Sequence, residues 1–364
     1  MSKTLNYKNI VSAKKLTSSQ IAELAGVSRS TVSRVVNGYD NVPKATYDKV
    51  MRVIRENNYH PHLSGQLLVG KKTGTLGFFW ITGASPGLAQ DELASSYIVQ
   101  VIEAAARHGY LMLTCILENL TDPKNSAWVN KIFMQGRIDA GIFIGVKHDE
   151  PLMEDLIAGN NIVGIFDHYH PDKREPNRIS ANYELDAGSK VINYLHSLGH
   201  KKIALIHGDM NCYSSIKRKE SFLSAMEHYG MEMRPEWMCV GGIYEHQGYE
   251  AAKGLISKAI QSGELPTAIC ANNDAVAFGV YRALQEANIS VPDQVSVTGI
   301  DGHVRKVTPV LTTYAFDYHE FFSSLVTRTI GALEQREDNP STEFIKGHLV
   351  EGQSCRRLRD GNEQ

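Results

Sequence analysis

TSSQIAELAGVSRSTVSRVVNG, residues 17–38, is the stretch that decides how the N-terminal part of this chain folds. Thr17 with Gln20 three places later is a capping-box pair that opens a helix. Ile21, Leu24 and Ala25 supply an apolar stripe at helical spacing, and Gly26 can take the left-handed conformation that ends the helix. Ser28 caps a second helix with Val32, Val35 and Val36 on its apolar face, and Asn37-Gly38 stops it. Pro43 predicts the start of a third, buried through Val50, Val53 and Ile54. Two short helices joined by a glycine turn and braced by a third make a helix-turn-helix. The second helix turns Arg29, Ser30, Thr31, Ser33 and Arg34 away from its valines. Small hydroxyls let a helix sit deep in a major groove, and arginines can grip guanine O6 and N7 with two bonds.

Charge supports that reading. Residues 1–73 hold 12 Lys and Arg against four acids, a balance of +8, whereas the remainder carries −10. A basic head on an acidic body predicts that the head meets a polyanion and the body does not. The 364 residues, 42% hydrophobic and 21% charged, fit a multi-domain globular chain and exclude disorder, collagen and rods. No apolar run is long enough to cross a membrane, and the N-terminus has no apolar signal core. Five scattered cysteines (Cys115, Cys212, Cys239, Cys270, Cys355) form no CxxC pair, which predicts reduced thiols in the cytoplasm.

From Thr75 onward β-rich runs alternate with helical stretches. Strands are expected at 76–81, 110–115, 140–145, 162–166, 203–207, 268–271 and 295–300. Helices are expected at 97–108, from Asp122-Pro123, and at 273–287. Such alternation predicts parallel sheets covered by helices on both faces. So many strands need two sheets, and a pair of doubly wound lobes binds small molecules at the strand C-terminal ends.

Residues 21–28 (IAELAGVS) and 31–38 (TVSRVVNG) resemble the head of the lac-repressor-type (LacI/GalR) regulators. Asn58-Tyr59-His60-Pro61 is similar to that family's junction after the third helix, and residues 62–70 to its hinge helix. Gln20, His62 and Gly65 depart from the family's usual Asp, Asn and Ala; Gly65 costs the hinge roughly 1 kcal/mol of helix propensity. In the body, 198–204 (LGHKKIA), Asn273-Asp274 with Ala277 and Gly279, 295–301 (VSVTGID) and 311–313 (LTT) resemble family motifs. The likeness spans about residues 16–355. It implies an all-α helix-turn-helix head plus an α/β body of two doubly wound lobes, similar to type I periplasmic binding proteins. The implied DNA-contacting set is Thr17, Ser28, Arg29, Ser30, Thr31, Ser33, Arg34, Asn37 and Leu68, the last as an apolar wedge that kinks the minor groove. The implied effector set is Arg218, Asn273, Asp301, Tyr318, Tyr97 and Asp186. Asp274 is expected to cap its helix instead of touching ligand.

The expected organisation is a disordered leader (1–15), a helix-turn-helix (16–61), a hinge (62–73), a core (74–355) and a tail (356–364). Within the core, the first lobe is expected at 74–199 plus 318–343 and the second at 200–317 plus 344–355. The expected function is a homodimeric, effector-responsive repressor of a carbohydrate-use operon, binding pseudo-palindromic operator DNA and a sugar or sugar derivative, with no cofactor or metal. Two other classes bear weighing. A solute-binding receptor would share the lobes but not the basic head. A nicotinamide-dependent dehydrogenase is suggested by residues 82–87 (TGASPG), which look like a nucleotide loop, and by two YxxxK spacings (Tyr169/Lys173, Tyr213/Lys217). Ala89 stands in place of that loop's final glycine, and Pro171 interrupts the first YxxxK. His168 and His170 lack further ligands at metal-binding spacing.

Overall fold

The computed structural model describes residues 16–60, 72–83, 92–303, 305–336, 339 and 341–358. The leader, residues 62–71 of the hinge with Leu68 among them, residues 84–87 of the glycine loop and the last six residues of the tail lie outside them. The chain divides into two units, 1–73 and 74–364.

The first unit carries α1 (Ser18–Leu24), α2 (Arg29–Asn37) and α3 (Lys44–Glu56). The expected capping box forms: Thr17 Oγ1 accepts Gln20 N at 3.3 Å, and Gln20 Oε1 accepts Thr17 N at 2.9 Å. Gly26, at φ +58°, makes the turn between α1 and α2, and Ser28 Oγ accepts Thr31 N at 3.1 Å. Ile21, Ala22, Ala25, Val32, Val35 and Val50 close a small core, with Val36, Val53 and Ile54 packed on it. Leu24, expected on the buried stripe, is instead 57% exposed.

The second unit holds two six-stranded sheets. In the first, β1 (Thr75–Ile81), β2 (Leu111–Leu117), β3 (Ala140–Ile144), β4 (Val163–Phe166), β5 (Arg178–Tyr183) and β11 (Thr342–Ile345) run in the order β11-β5-β4-β3-β1-β2, all parallel. In the second, β6 (Ile203–His207), β7 (Met238–Val240), β8 (Ala268–Ala271), β9 (Ser296–Asp301), β10 (Thr312–Ala315) and β12 (His348–Val350) run β12-β10-β9-β8-β6-β7. Only the β10–β12 pair in this sheet is antiparallel. The β1 sequence TLGFFWI is apolar on both faces because both are covered: Phe78 belongs to one core, while Phe79 stacks on Phe143 at 4.6 Å in another.

The helices are α4 (Glu92–Arg107), α5 (Pro123–Met134), α6 (Pro151–Ala158), α7 (Ala187–Ser197), α8 (Tyr213–His228), α9 (Glu245–Ser262), α10 (Asp274–Glu286) and α11 (Tyr318–Leu333). Packing moves two of the expected lobe boundaries. Helix α7 packs on α8 and β10, so the chain leaves the first lobe at 184–186, not at 199. Strand β11 pairs with β5 through Ile345, so the last crossing falls at 346–347, not after 343. Helix α11 packs on β3, β4 and β5, returning the chain to the first lobe after Ala315. Glu184 ties the three crossings: Tyr314 Oη and Gly347 N (2.9 Å) both donate to its Oε1.

Candidate functional site

A cleft of about 550 Å3 opens where the strands of the two sheets end. The first lobe lines it with Trp80 near the end of β1, Phe166 and Asp167 at the end of β4, Tyr183 at the end of β5, and Tyr97 from α4. The second lobe adds Arg218, Asn272, Asn273, Asp301, Tyr244 and Phe278.

Arg218, in the second turn of α8, is buried and organises the polar end. Its Nη2 donates to Asp301 Oδ1 at 2.7 Å and its Nη1 to the Asn272 carbonyl at 2.9 Å. Its guanidinium lies 4.5 Å from the centre of the Tyr183 ring, which reaches over from the other lobe. Burial opposes the arginine's charge, but the Asp301 carboxylate holds its pKa above the ordinary value. Burial likewise pushes the Asp301 carboxyl up, against the pull of Arg218. Asn273 caps α10, accepting Val276 N at 2.8 Å and donating to the Ile243 carbonyl at 2.9 Å. Asp274, expected to be the cap, is instead the first helical residue, wholly buried and outside the cleft lining.

Arg218, Asn273, Asp301 and Tyr97 thus meet at one cleft. Tyr318 stands one layer behind: its ring is 4.7 Å from Tyr97 and its hydroxyl 3.1 Å from that of Tyr183. Asp186 does not belong to the site. It is exposed at the start of α7 and pairs with Lys190 one turn on, at 3.2 Å.

Asp167 is the site residue that sequence reasoning missed. The available signal was an acid directly after the apolar strand VGIF, at the end where such sheets bind ligands. Its Oδ2 accepts Ser214 N from the opposite lobe at 3.2 Å, and burial raises its pKa to about 6. Among the described residues, Asp167 Oδ1, Asn272 Oδ1 and Arg218 Nε are buried without a hydrogen-bond partner. Two acceptors and one donor in a buried site are costly unless another molecule meets them. Two further bonds cross the lobes: Tyr244 Oη donates to the Thr82 carbonyl at 2.7 Å, and His148 N to the Asn211 carbonyl at 2.9 Å. His148 also stacks on His170 at 4.1 Å, and burial lowers the pKa of both rings.

The Asp167 shift sets a pH prediction. A carboxyl whose folded pKa is raised binds its proton more tightly when folded, so its penalty grows as pH rises from about 4 to about 6 and is complete above that. Asp167→Asn should therefore stabilise the ligand-free protein by about 1–3 kcal/mol at pH 7.5 and hardly at all at pH 4. Denaturant titration at the two pH values checks this. Asn tolerates the φ of +57° at this position, so no backbone strain is added.

On the head, Thr17, Ser28, Arg29, Ser30, Ser33 and Arg34 are exposed, and Thr31 and Asn37 half-buried. Ser28 Oγ is taken up with Ser30 Oγ (2.7 Å) and the Thr31 amide and hydroxyl, so it serves the helix cap first. Arg29 Nε donates to Ser18 Oγ on α1 at 3.2 Å, which tethers the guanidinium at the start of α2.

Residues 19–62 match the family model described as bacterial regulatory proteins, lacI family. Residues 192–355 match that of the periplasmic binding protein-like domain. The chain belongs to the LacI family. The LacI-type head and binding-protein-like body make it a DNA-binding transcriptional regulator with a ligand-binding body, not an enzyme. It is 29% identical over 295 residues to the HTH-type transcriptional repressor PurR of Haemophilus influenzae (strain PittEE), covering 80% of this chain and 84% of that one. The PurR of Pasteurella multocida (strain Pm70) is 28% identical over 326 residues, covering 89% and 92%. Solved LacI-type structures share the fold. A lac repressor dimer bound to operator and the anti-inducer ONPF superposes with TM-score 0.73 at 23% identity, covering 94% of this chain and 100% of that one. A CelR–cellobiose complex gives 0.69 at 21%, covering 93% and 99%. Among the described residues no helix is long and apolar enough to cross a membrane.

Proposed function

We propose that this LacI-family protein is a cytoplasmic homodimeric repressor of a carbohydrate-use operon, released or engaged by a sugar or sugar derivative in the cleft. The observation that carries the effector class is the buried polar set around Arg218. Asp167 Oδ1 and Asn272 Oδ1 call for donors and Arg218 Nε for an acceptor, beside the rings of Trp80, Tyr183 and Phe278. A ring bearing several hydroxyls answers all of these, its C–H face on the aromatics and its hydroxyls donating and accepting in turn. The second reading is a purine-type base, favoured by relatives that carry the name PurR. A flat base would use the same rings and the same Arg218–Asp301 pair.

A melting-shift screen over sugars, sugar phosphates and nucleobases separates the two. Stabilisation by a sugar and by no nucleobase is the expected result; stabilisation by a base alone rejects the carbohydrate reading. Two-fold symmetry suits a pseudo-palindromic operator. Exposed Leu111 and Ile116 on edge strand β2, with Val99 and Ile102 on α4, supply apolar surface that a dimer contact would cover. Closure of the lobes on the effector would then shift the paired first lobes and, through the chain that joins them, the spacing of the hinges.

The hinge gives a separate prediction. Leu68→Ala should weaken operator binding at least about tenfold, because an apolar wedge offsets the unstacking of a kinked base step, itself about a few kcal/mol, with dimer stability unchanged. Gel-shift titration and sedimentation on one preparation check both halves. Unchanged operator affinity removes Leu68 from the DNA contact.

A further inference from the structure

Asp274 has no place in the cleft lining, caps no helix and is wholly buried, yet its carboxylate is engaged on both oxygens. Its Oδ2 accepts His303 N at 2.5 Å and its Oδ1 accepts Thr313 Oγ1 at 2.6 Å. Thr313 Oγ1 in turn accepts Gly302 N at 3.3 Å. The carboxylate lies over Gly299 of β9, where an added Cβ would sit 2.1 Å from Oδ1. Asp274 and Thr313 therefore hold two consecutive amides, and these directly follow Asp301. Asp301 needs holding. Its φ of +126° lies where L-residues are seldom found, and such strain persists only when the surroundings over-determine it.

We propose that Asp274 and Thr313 form a positioning pair that clamps the Gly302 and His303 amides and so fixes the strained Asp301 backbone, aiming its carboxylate at Arg218. The clamp acts on effector recognition only through Asp301, and to that extent rests on the reading of Asp301 as an effector contact. Neither clamp residue lines the cleft. Without the Thr313 hydroxyl, the Gly302 amide loses its acceptor and Asp274 loses a donor. The turn can then relax to an ordinary φ, which carries Asp301 away from Nη2 of Arg218.

Three variants of the full chain decide it. Thr313→Val keeps the shape and removes the hydroxyl, whereas Thr313→Ser keeps the hydroxyl and removes the methyl. Thr313→Ala serves as a second hydroxyl-free variant if valine fails to fold. Amide hydrogen exchange resolved at Gly302 and His303 should rise at least about tenfold in Thr313→Val and stay within about twofold of the parent in Thr313→Ser. A crystal structure of Thr313→Val should show the Asp301–Arg218 bond broken. A packing role gives the opposite order, with serine the damaging change. That order, or parental exchange in Thr313→Val, overturns the proposal, as does an Asp301 still bonded to Arg218. Calorimetry with cellobiose, D-ribose and adenine as probes separates the two readings. If Asp301→Asn binds a probe as tightly as the parent while Thr313→Val loosens the amides, the clamp stands and the effector role of Asp301 falls.

Discussion

Arg218→Ala is expected to abolish the effector response while leaving effector-free operator binding near that of the parent protein. The arginine is buried against Asp301 and the Asn272 carbonyl and lies over Tyr183. Removing it strands a buried carboxylate and takes away the guanidinium that meets Asp301 and the Asn272 carbonyl. Breaking a buried, hydrogen-bonded pair from one side costs about 3–5 kcal/mol of stability, and a ligand that loses its hydrogen bond to the charged guanidinium loses about 1.5–3 kcal/mol, roughly ten- to a hundredfold in affinity. The first loss falls on the body, so melting temperature must be read beside affinity. Asp301→Asn keeps an acceptor for Nη2 but leaves the guanidinium charge unmatched, so it is expected to lose the response with a smaller loss of stability than Arg218→Ala. Operator titrations with and without a compound that stabilises the parent test both. A parental response in both variants rejects the site.

The second large effect lies on the head. Arg29→Ala should cost about 1–3 kcal/mol per half-site on a matched operator and much less on random DNA, because a bidentate arginine discriminates bases as well as adding charge. The Ser18 tether occupies Nε and leaves both terminal amino groups of the guanidinium for a guanine edge. Competition binding at fixed salt, parent beside variant, measures the two losses. Equal losses on both DNAs mean that Arg29 grips phosphate only.

The head was legible in sequence because its signals are local. Thr17, Gln20, Gly26, Ser28 and Gly38 each specify a cap or a left-handed turn within a few residues, and the structure uses all five as such. The strand–helix rhythm of the body was legible for the same reason. What local pattern could not carry was assignment to a lobe. Helix α7 follows a first-lobe strand yet packs on the second sheet, which depends on the crossing at 184–186 rather than on any spacing.

The cleft shows the same division. Arg218, Asn273 and Asp301 sit in motif-like surroundings, and the fold brings them together. Asp186 failed because an acid at a helix start is as well suited to pairing with Lys190 one turn on as to meeting a ligand. Asp167 escaped notice because its importance comes from Ser214 on the far lobe and from burial, neither visible in its own segment. Asn273 and Asp274 are adjacent acceptors that a sequence cannot rank as caps. Gly299 decides between them: its missing side chain lets the Asp274 carboxylate drop onto β9.

The most direct test is operator affinity as a function of added effector, measured side by side for the parent and Asp301→Asn. Use a genomic fragment selected by the protein itself and the compound that most raises the parent's melting temperature. The expected result is a change of at least about tenfold in the parent's affinity, the coupling typical of such regulators, and none in the variant. A variant that responds like the parent, or a parent indifferent to a compound that stabilises it, contradicts the assignment of the cleft as the switch.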